Sequence, residues 1–231
     1  MYEIIPSPGT KDKEWPAIEK KIGDVLPFAH TIHIDVIDGK FADNTTFADP
    51  SAFGEYMKRL AGETDPFTGA KELTFEVHLM VDNPIEHIKK WADAGFKRFI
   101  GQIEKMPDQA AFVAEAQMWG EVGLALDKET PLDALKVHPD DLDVLLVMTI
   151  KAGFSGQEFE EELLDKVKQI REENEYMPIE VDGGINDETI EAAAAAGATR
   201  FVTTSFLYAM GTPQEQFTLL KKKLEELKIQ G

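Results

Sequence analysis

Four residues combine acid–base or metal-ligating chemistry with the spacing of strands. In His33-Ile34-Asp35-Val36-Ile37-Asp38-Gly39, side chains two apart on an extended strand share a face. His33, Asp35 and Ile37 therefore point one way, and Ile32, Ile34 and Val36 the other. Asp38-Gly39 reads as the turn that follows, which places His33 and Asp35 near the strand's C-terminal end. Glu76-Val77-His78-Leu79-Met80 repeats the pattern, with Glu76, His78 and Met80 opposite Val77 and Leu79. Glu180-Val181-Asp182-Gly183-Gly184 repeats it again, with Asp182 ending a strand and the double glycine forming the loop. Two imidazoles and two carboxylates converging on one mouth make a donor set for Zn²⁺ or another divalent first-row ion. Two carboxylates also neutralise such an ion, which matters inside a protein, where unpaired charge is costly. Taken singly, each residue reads as a solvated strand end or a hydrogen-bonded core group; the shared register favours convergence. His30, His87 and His138 lack it and read as ordinary surface or helix histidines.

A second constellation is rich in glycine. Gly153-Phe154-Ser155-Gly156-Gln157 follows the sixth strand-like run, Gly183-Gly184 the seventh and Thr204-Ser205 the eighth. Backbone N–H groups of such loops and helix starts bind phosphate without a basic patch. Turn residues are common in every such loop, so the weight lies in three donor-bearing loops at successive strand ends.

Positioning these groups requires alternating strands and helices. Strand-like runs occur at 2–6, 31–36, 73–80, 98–103, 122–126, 144–150, 179–182 and 200–204. Helix-like segments include 85–94, 108–119, 160–174, 187–196 and 213–227. Ala-Gly pairs at 94–95 and 196–197 mark helix ends just ahead of strands. Eight βα units within 231 residues predict one α/β domain over 1–231, a (β/α)8 TIM barrel, with its chemistry at the C-terminal ends of the strands. A doubly wound open sheet is the alternative. It normally carries a glycine-rich dinucleotide loop after the first strand, and Ser7-Pro8-Gly9-Thr10 is not one.

Composition narrows the chemistry. Lys and Arg total 24 against 43 Asp and Glu, a net charge of −19, with an isoelectric point near 4.6 and mean hydropathy of −0.26. A chain this acidic is repelled by nucleic acids and anionic membranes, so neither is an expected partner. The absence of cysteine excludes disulfides, thiolate metal sites and cysteine nucleophiles. The opening MYEIIPSPGTKDKEW is not a signal peptide pattern, and apolar stretches such as 144–148 are too short to span a bilayer. The expected compartment is the cytoplasm.

The motifs together resemble the ribulose-phosphate 3-epimerase family, in order and over nearly the whole chain. Pro6-Ser7 is similar to the family's opening Pro-Ser, and HIDVIDGKF (33–41) to its His-x-Asp-x-Met-Asp-Gly-x-Phe, with Asn44 and Thr46 fitting the next loop. HLMV (78–81) with Pro84, MTIKAGFSGQEF (148–159), VDGGIN (181–186) and Ser205 complete the resemblance. It implies a homo-oligomeric (β/α)8 TIM barrel of the ribulose-phosphate-binding type that interconverts D-ribulose 5-phosphate and D-xylulose 5-phosphate. It also implies one divalent ion (zinc, or iron, manganese or cobalt) on His33, Asp35, His78 and Asp182, with Asp35 and Asp182 as acid and base. Ser7 would hydrogen-bond the substrate or a water beside it. His78, Met80 and Met148 would contact the substrate, the methionines as apolar walls, and Gly153, Gly156, Gly183, Gly184, Thr204 and Ser205 would cradle its phosphate.

Departures from the family pattern avoid the ligand and acid–base set. Ile37 replaces a usual Met, Gln102 a His, Asp43 a Pro, Ala48-Asp49 a Gly-Pro, and Asp127-Lys128 an Asn-Pro. Ala152 and Ser155 alter the Pro-Gly-Phe-Gly-Gly loop, and Thr204 takes the glycine position of a Gly-Ser turn. Because these changes gather on the phosphate and lid elements, a 3-epimerase of another ketose phosphate, such as allulose 6-phosphate, is the near alternative. A non-catalytic ligand- or metal-binding barrel is the distant one.

Overall fold

The computed structural model describes residues 2–63 and 73–230. Alternation of short β-branched runs with amphipathic segments yields β1 (Glu3–Pro6), β2 (Thr31–Ile37), β3 (Thr74–Met80), β4 (Arg98–Gln102), β5 (Glu121–Leu126), β6 (Val144–Met148), β7 (Ile179–Asp182) and β8 (Arg200–Thr203). The strands pair in parallel in the order β1-β8-β7-β6-β5-β4-β3-β2. β1 and β2 then lie side by side, so that the sheet is a nearly closed barrel. Side chains bridge this seam: Thr31 Oγ1 donates to Glu3 Oε1 at 2.5 Å, and Ser7 Oγ donates to Asp35 Oδ2 at 3.3 Å.

The predicted (β/α)8 barrel is therefore observed, and strand parity divides its core in two. Ile32, Ile34, Val36, Val77 and Leu79 pack in the layer between sheet and helices. Ile37, Met80 and Met148 pack with Ile100, Ala125 and Leu146 inside the barrel. The outer layer is closed by α1 (Trp15–Val25), α2 (Pro50–Glu63), α3 (Ile85–Asp93), α4 (Gln109–Gln117), α5 (Leu164–Glu173), α6 (Ile190–Ala195), α7 (Ser205–Ala209) and α8 (Pro213–Gln230). α3 shows why these segments dock: Ile88 and Trp91, one turn apart, are both fully buried, the spacing of an amphipathic face. α4 begins where Asp108 accepts a hydrogen bond from the Ala111 N–H at 2.9 Å, a cap contributing about 1 kcal/mol.

Several element ends differ from the sequence reading, with local reasons. β6 stops at Met148 instead of 150, because Thr149 turns toward the end of β7: its N–H reaches Asp182 O at 2.8 Å and its hydroxyl Gly183 O at 2.6 Å. β4 stops at Gln102, since Ile103 opens a 3-10 turn, and α5 starts at Leu164 after another at Glu161–Leu163. Between β5 and β6 two 3-10 turns, Leu132–Ala134 and Pro139–Asp141, stand where a helix would. Pro131 and Pro139 begin them, and proline suits a helix start but not its continuation. No helix among the described residues is long and apolar enough to cross a membrane.

Candidate active site

Register brings the four ligating candidates together. Asp35 lies opposite His78 in the β2–β3 ladder, and Asp182 ends β7 opposite Met148 of β6. His33 Nε2 and His78 Nδ1 each lie 3.2 Å from Asp35 Oδ1 and 3.9 Å from Asp182 Oδ2. One ligating atom from each of the four residues falls within 4.8 Å of all the others, and all four residues are buried. The outward ring nitrogens are committed elsewhere: His33 Nδ1 lies 2.7 Å from Glu76 Oε1, and His78 Nε2 lies 2.6 Å from Gln102 Oε1. Both partners are acceptors, which keeps protons on those nitrogens and turns His33 Nε2 and His78 Nδ1 toward the centre, where each becomes a ligating atom once it carries no proton. Imidazoles oriented by acceptors behind them, beside two carboxylates, fit a divalent first-row ion.

Below this cluster, at the same inward parity, lies a charged layer that motif reasoning missed. Arg98 makes a very short ion pair with Glu76 and reaches Glu121 at 2.6 Å. Glu180 Oε1 stands 3.5 Å from His33 Nδ1, and neither Glu180 oxygen has a hydrogen-bond partner among the described residues. The signal was present in the sequence: Glu76 and Glu180 precede His78 and Asp182 by two residues and so sit one rung lower on the same face.

The two aspartates are pushed in opposite directions. Burial acts to raise the Asp35 carboxyl, but the charges and hydrogen bonds of His33 and His78 outweigh it and hold Asp35 well below the usual carboxylate range. Burial, reinforced by the negative charge of Asp35, pushes Asp182 up to about 7. His33 is raised well above the ordinary imidazole value, because Asp35, Glu180 and Glu76 together outweigh its burial. Glu76 is held down at about 2: burial is overcome by Arg98 and His33.

Above the cluster opens a narrow recess. Asp35, Asp182, Met80 and Met148 form its floor and walls, while Gly153, Gly156, Gly183, Gly184, Thr204 and Ser205 line its rim. Ser7 is fully buried at the β1 end, its hydroxyl on Asp35. His78 lies behind Asp35, joined to it through Nδ1. The β6 loop is tied down from both sides: Asn44 Nδ2 donates to Gly153 O at 2.7 Å, and the Ala152 N–H donates to Asp127 Oδ1 at 2.9 Å. Gly183 and Gly184 hold positive φ values of 121° and 67°, which other residues adopt only under strain. The remaining histidines lie elsewhere: His30 is exposed, His87 sits on α3, and exposed His138 accepts from the Asp140 N–H before a 3-10 turn.

Known proteins resemble this chain in sequence and in fold. Residues 13–208 match the model of the ribulose-phosphate 3 epimerase family. A ribulose-phosphate 3-epimerase of Schizosaccharomyces pombe is 30% identical over 226 residues, covering 97% of this chain and 95% of the relative. One from Mycobacterium tuberculosis is 32% identical over 200 residues, covering 84% of this chain and 82% of its own. Among solved structures, 3-keto-L-gulonate-6-phosphate decarboxylase from Vibrio cholerae superposes with a TM-score of 0.69 at 12% identity, covering 97% of this chain and 98% of that one. 3-Hexulose-6-phosphate synthase from Salmonella typhimurium superposes with 0.67 at 12% identity, covering 97% and 99%. At such identities the structural likeness shows the barrel fold alone. The sequence matches go further: this chain belongs to the ribulose-phosphate 3 epimerase family, isomerases that act on carbohydrates.

Proposed function

We propose that this protein is a metal-dependent 3-epimerase that interconverts D-ribulose 5-phosphate and D-xylulose 5-phosphate. The observation that carries the reading is the pair Asp35 and Asp182. They line one recess, with ligating oxygens inside a 4.8 Å cluster, and one carboxyl is held low while the other is raised to about 7. Neighbouring carboxyls held in opposite protonation states are the requirement for a two-base epimerisation near neutral pH.

In that reaction the C3–H bond of the ketose is acidified by the C2 carbonyl. Asp35, ionised, removes the C3 proton, and the bonding pair moves toward the C2 oxygen to give an enediolate. Asp182, protonated, returns a proton to C3 from the opposite face, and the carboxyls have then exchanged states. The reverse reaction uses them in the opposite order. His33, Asp35, His78 and Asp182 would hold a divalent ion, zinc or else iron, manganese or cobalt, which would supply Lewis-acid stabilisation of the charge on the C2 and C3 oxygens. Ser7 holds the second oxygen of Asp35 in place. Met80 and Met148 give the floor apolar walls that exclude water from the enediolate. The glycine turns and the Thr204-Ser205 segment offer backbone N–H groups to the phosphate, the means open to a chain of charge −19.

The test is incubation with D-ribulose 5-phosphate in D₂O with a divalent metal supplied. The expected result is xylulose 5-phosphate with solvent deuterium at C3; neither product nor deuterium would overturn the reading. Ser155 and Thr204 on the recess rim motivate a second reading, a 3-epimerase of a hexulose 6-phosphate such as allulose 6-phosphate. Comparative turnover of pentulose and hexulose phosphates decides between the two.

A further inference from the structure

The loop after β1 carries Gly9, Thr10 and Lys11 across the rim of the recess, and two rim residues grip it. The Ser155 N–H donates to Thr10 Oγ1 at 2.9 Å, the Thr10 N–H donates to Ser155 Oγ at 3.3 Å, and the two hydroxyls lie 3.1 Å apart. The methyl group of Thr204 rests on Gly9, 2.4 Å from where a β carbon on Gly9 would stand, so only glycine fits there. The side-chain atoms that Ser155 and Thr204 add to the glycine-rich turns are thus spent on one neighbouring loop.

That latch holds the stretch of backbone from which the exposed Lys11 extends. Its ammonium nitrogen lies 3.1 Å from the position a β carbon on Gly156 would occupy. It borders a shallow recess that shares Ser155, Thr204 and Ser205 with the main one. Lys11 makes no hydrogen bond or ion pair with any described residue, whereas its neighbours are engaged. Lys13 donates to Thr10 O at 3.0 Å and Asn44 Oδ1 at 2.8 Å, and Lys21 donates to Pro8 O at 2.8 Å while pairing with Asp12 at 2.6 Å. Carboxylates outnumber cations 43 to 24 in this chain, yet this ammonium stands uncompensated beside a ring of glycine and hydroxyl donors. An unpaired cation next to backbone N–H donors is a receptor for a doubly charged oxyanion.

We infer that Lys11 is the residue of this chain that ion-pairs with the phosphate of its substrate, seated among Gly156, Thr204 and Ser205. The cation comes from the loop after β1, outside the three glycine-rich turns. The inference rests on the proposed function for the sugar part of the ligand but not for the phosphate. The experiment therefore uses inorganic phosphate as its first probe, titrated by calorimetry into the whole chain and into its Lys11→Met and Lys11→Arg variants, with thermal melts confirming that each is folded. Lys11→Met is expected to weaken phosphate binding about tenfold or more, and Lys11→Arg to retain most of it. With D-ribulose 5-phosphate, Lys11→Met is expected to raise KM about tenfold, with a smaller change in kcat. Equal phosphate affinity in the parent chain and Lys11→Met, or no binding by either, would overturn the inference. Phosphate binding that depends on Lys11, in a protein that leaves D-ribulose 5-phosphate unchanged, would uphold it and overturn the epimerase reading instead.

Discussion

His33 Nδ1 and Glu76 Oε1 lie 2.7 Å apart beneath the proposed metal centre, and the other oxygen of Glu76 is clamped by Arg98. This chain of contacts keeps a proton on His33 Nδ1 and leaves Nε2 as the nitrogen that faces Asp35 and Asp182. Glu76→Gln keeps the shape but can turn an amide NH₂ toward Nδ1, which would favour the wrong tautomer. The expected outcome is a loss of about tenfold to a hundredfold in affinity for Zn²⁺, measured by competition with a chelator of known affinity. Unchanged affinity would show that His33 is oriented by packing alone.

The same contact marks how far the sequence could be read. Alternation along β2, β3 and β7 was enough to place His33, Asp35, His78 and Asp182 on one inward face, because strand parity is a two-residue rule and each strand ends at a recognisable turn. The layer formed by Glu76, Glu180 and Arg98 obeys that rule too. It escaped notice because buried ion pairs depend on which strands neighbour each other, and Arg98 of β4 meets Glu76 only through the β3–β4 register. The grip of Ser155 and Thr204 on the β1 loop was also illegible: residues 145 positions apart in the chain, Thr10 and Ser155, meet only once the barrel closes.

Stability of the metal-free protein should fall as pH rises from about 4 to about 7. Asp182 is raised to about 7 from an ordinary 3.8, so in this window the folded state binds more protons than the unfolded one, and stability declines with pH. His33, raised above its ordinary 6.5, extends the decline above that value by the same logic. Asp35 works the other way, but below the window: held under 3.8, its contribution is present above 3.8 and lost as pH falls through its lower folded value. The expected observation is a melting temperature a few degrees lower at pH 7 than at pH 4.5 without metal, with the difference reduced when Zn²⁺ is bound. A melting temperature that rises across this interval without metal would contradict the assignment to Asp182.

Loading the metal at pH 7 should release protons. With His33 raised well above 6.5, the metal-free cluster holds an imidazole proton that ligation must displace. Calorimetric titration of Zn²⁺ in buffers of different ionisation enthalpy reads the number directly, and about one proton or more per ion is expected. Binding heats independent of the buffer would mean that the cluster is already deprotonated.

Replacing Gly183 tests the turn that joins Asp182 to the phosphate rim. A β carbon there would stand 2.4 Å from Ile150 Cγ1 at a φ of +121°, combining a clash in the barrel interior with a conformation that L residues avoid. Gly183→Ala is expected to cost about 2–4 kcal/mol of stability, read by chemical denaturation. A loss below about 0.5 kcal/mol would show that Ile150 and the turn move aside freely.

The two aspartates should separate in their effects once each is made neutral. Asp182→Asn removes a carboxyl whose ionisation is opposed by burial and by Asp35, so at pH 7 the metal-free variant should be as stable as the parent or more so. Asp35→Asn removes one that is favoured ionised by His33 and His78, leaving a raised imidazole without its nearest anion, so the metal-free variant should be less stable, by about 1–3 kcal/mol. On the proposed mechanism both variants lose turnover by about a thousandfold or more, because each face of C3 then lacks its proton carrier. Opposite shifts in stability with the same loss of activity would separate a shared catalytic role from a shared structural one. Near-normal turnover in Asp182→Asn would remove the second carrier, and with it the two-base mechanism.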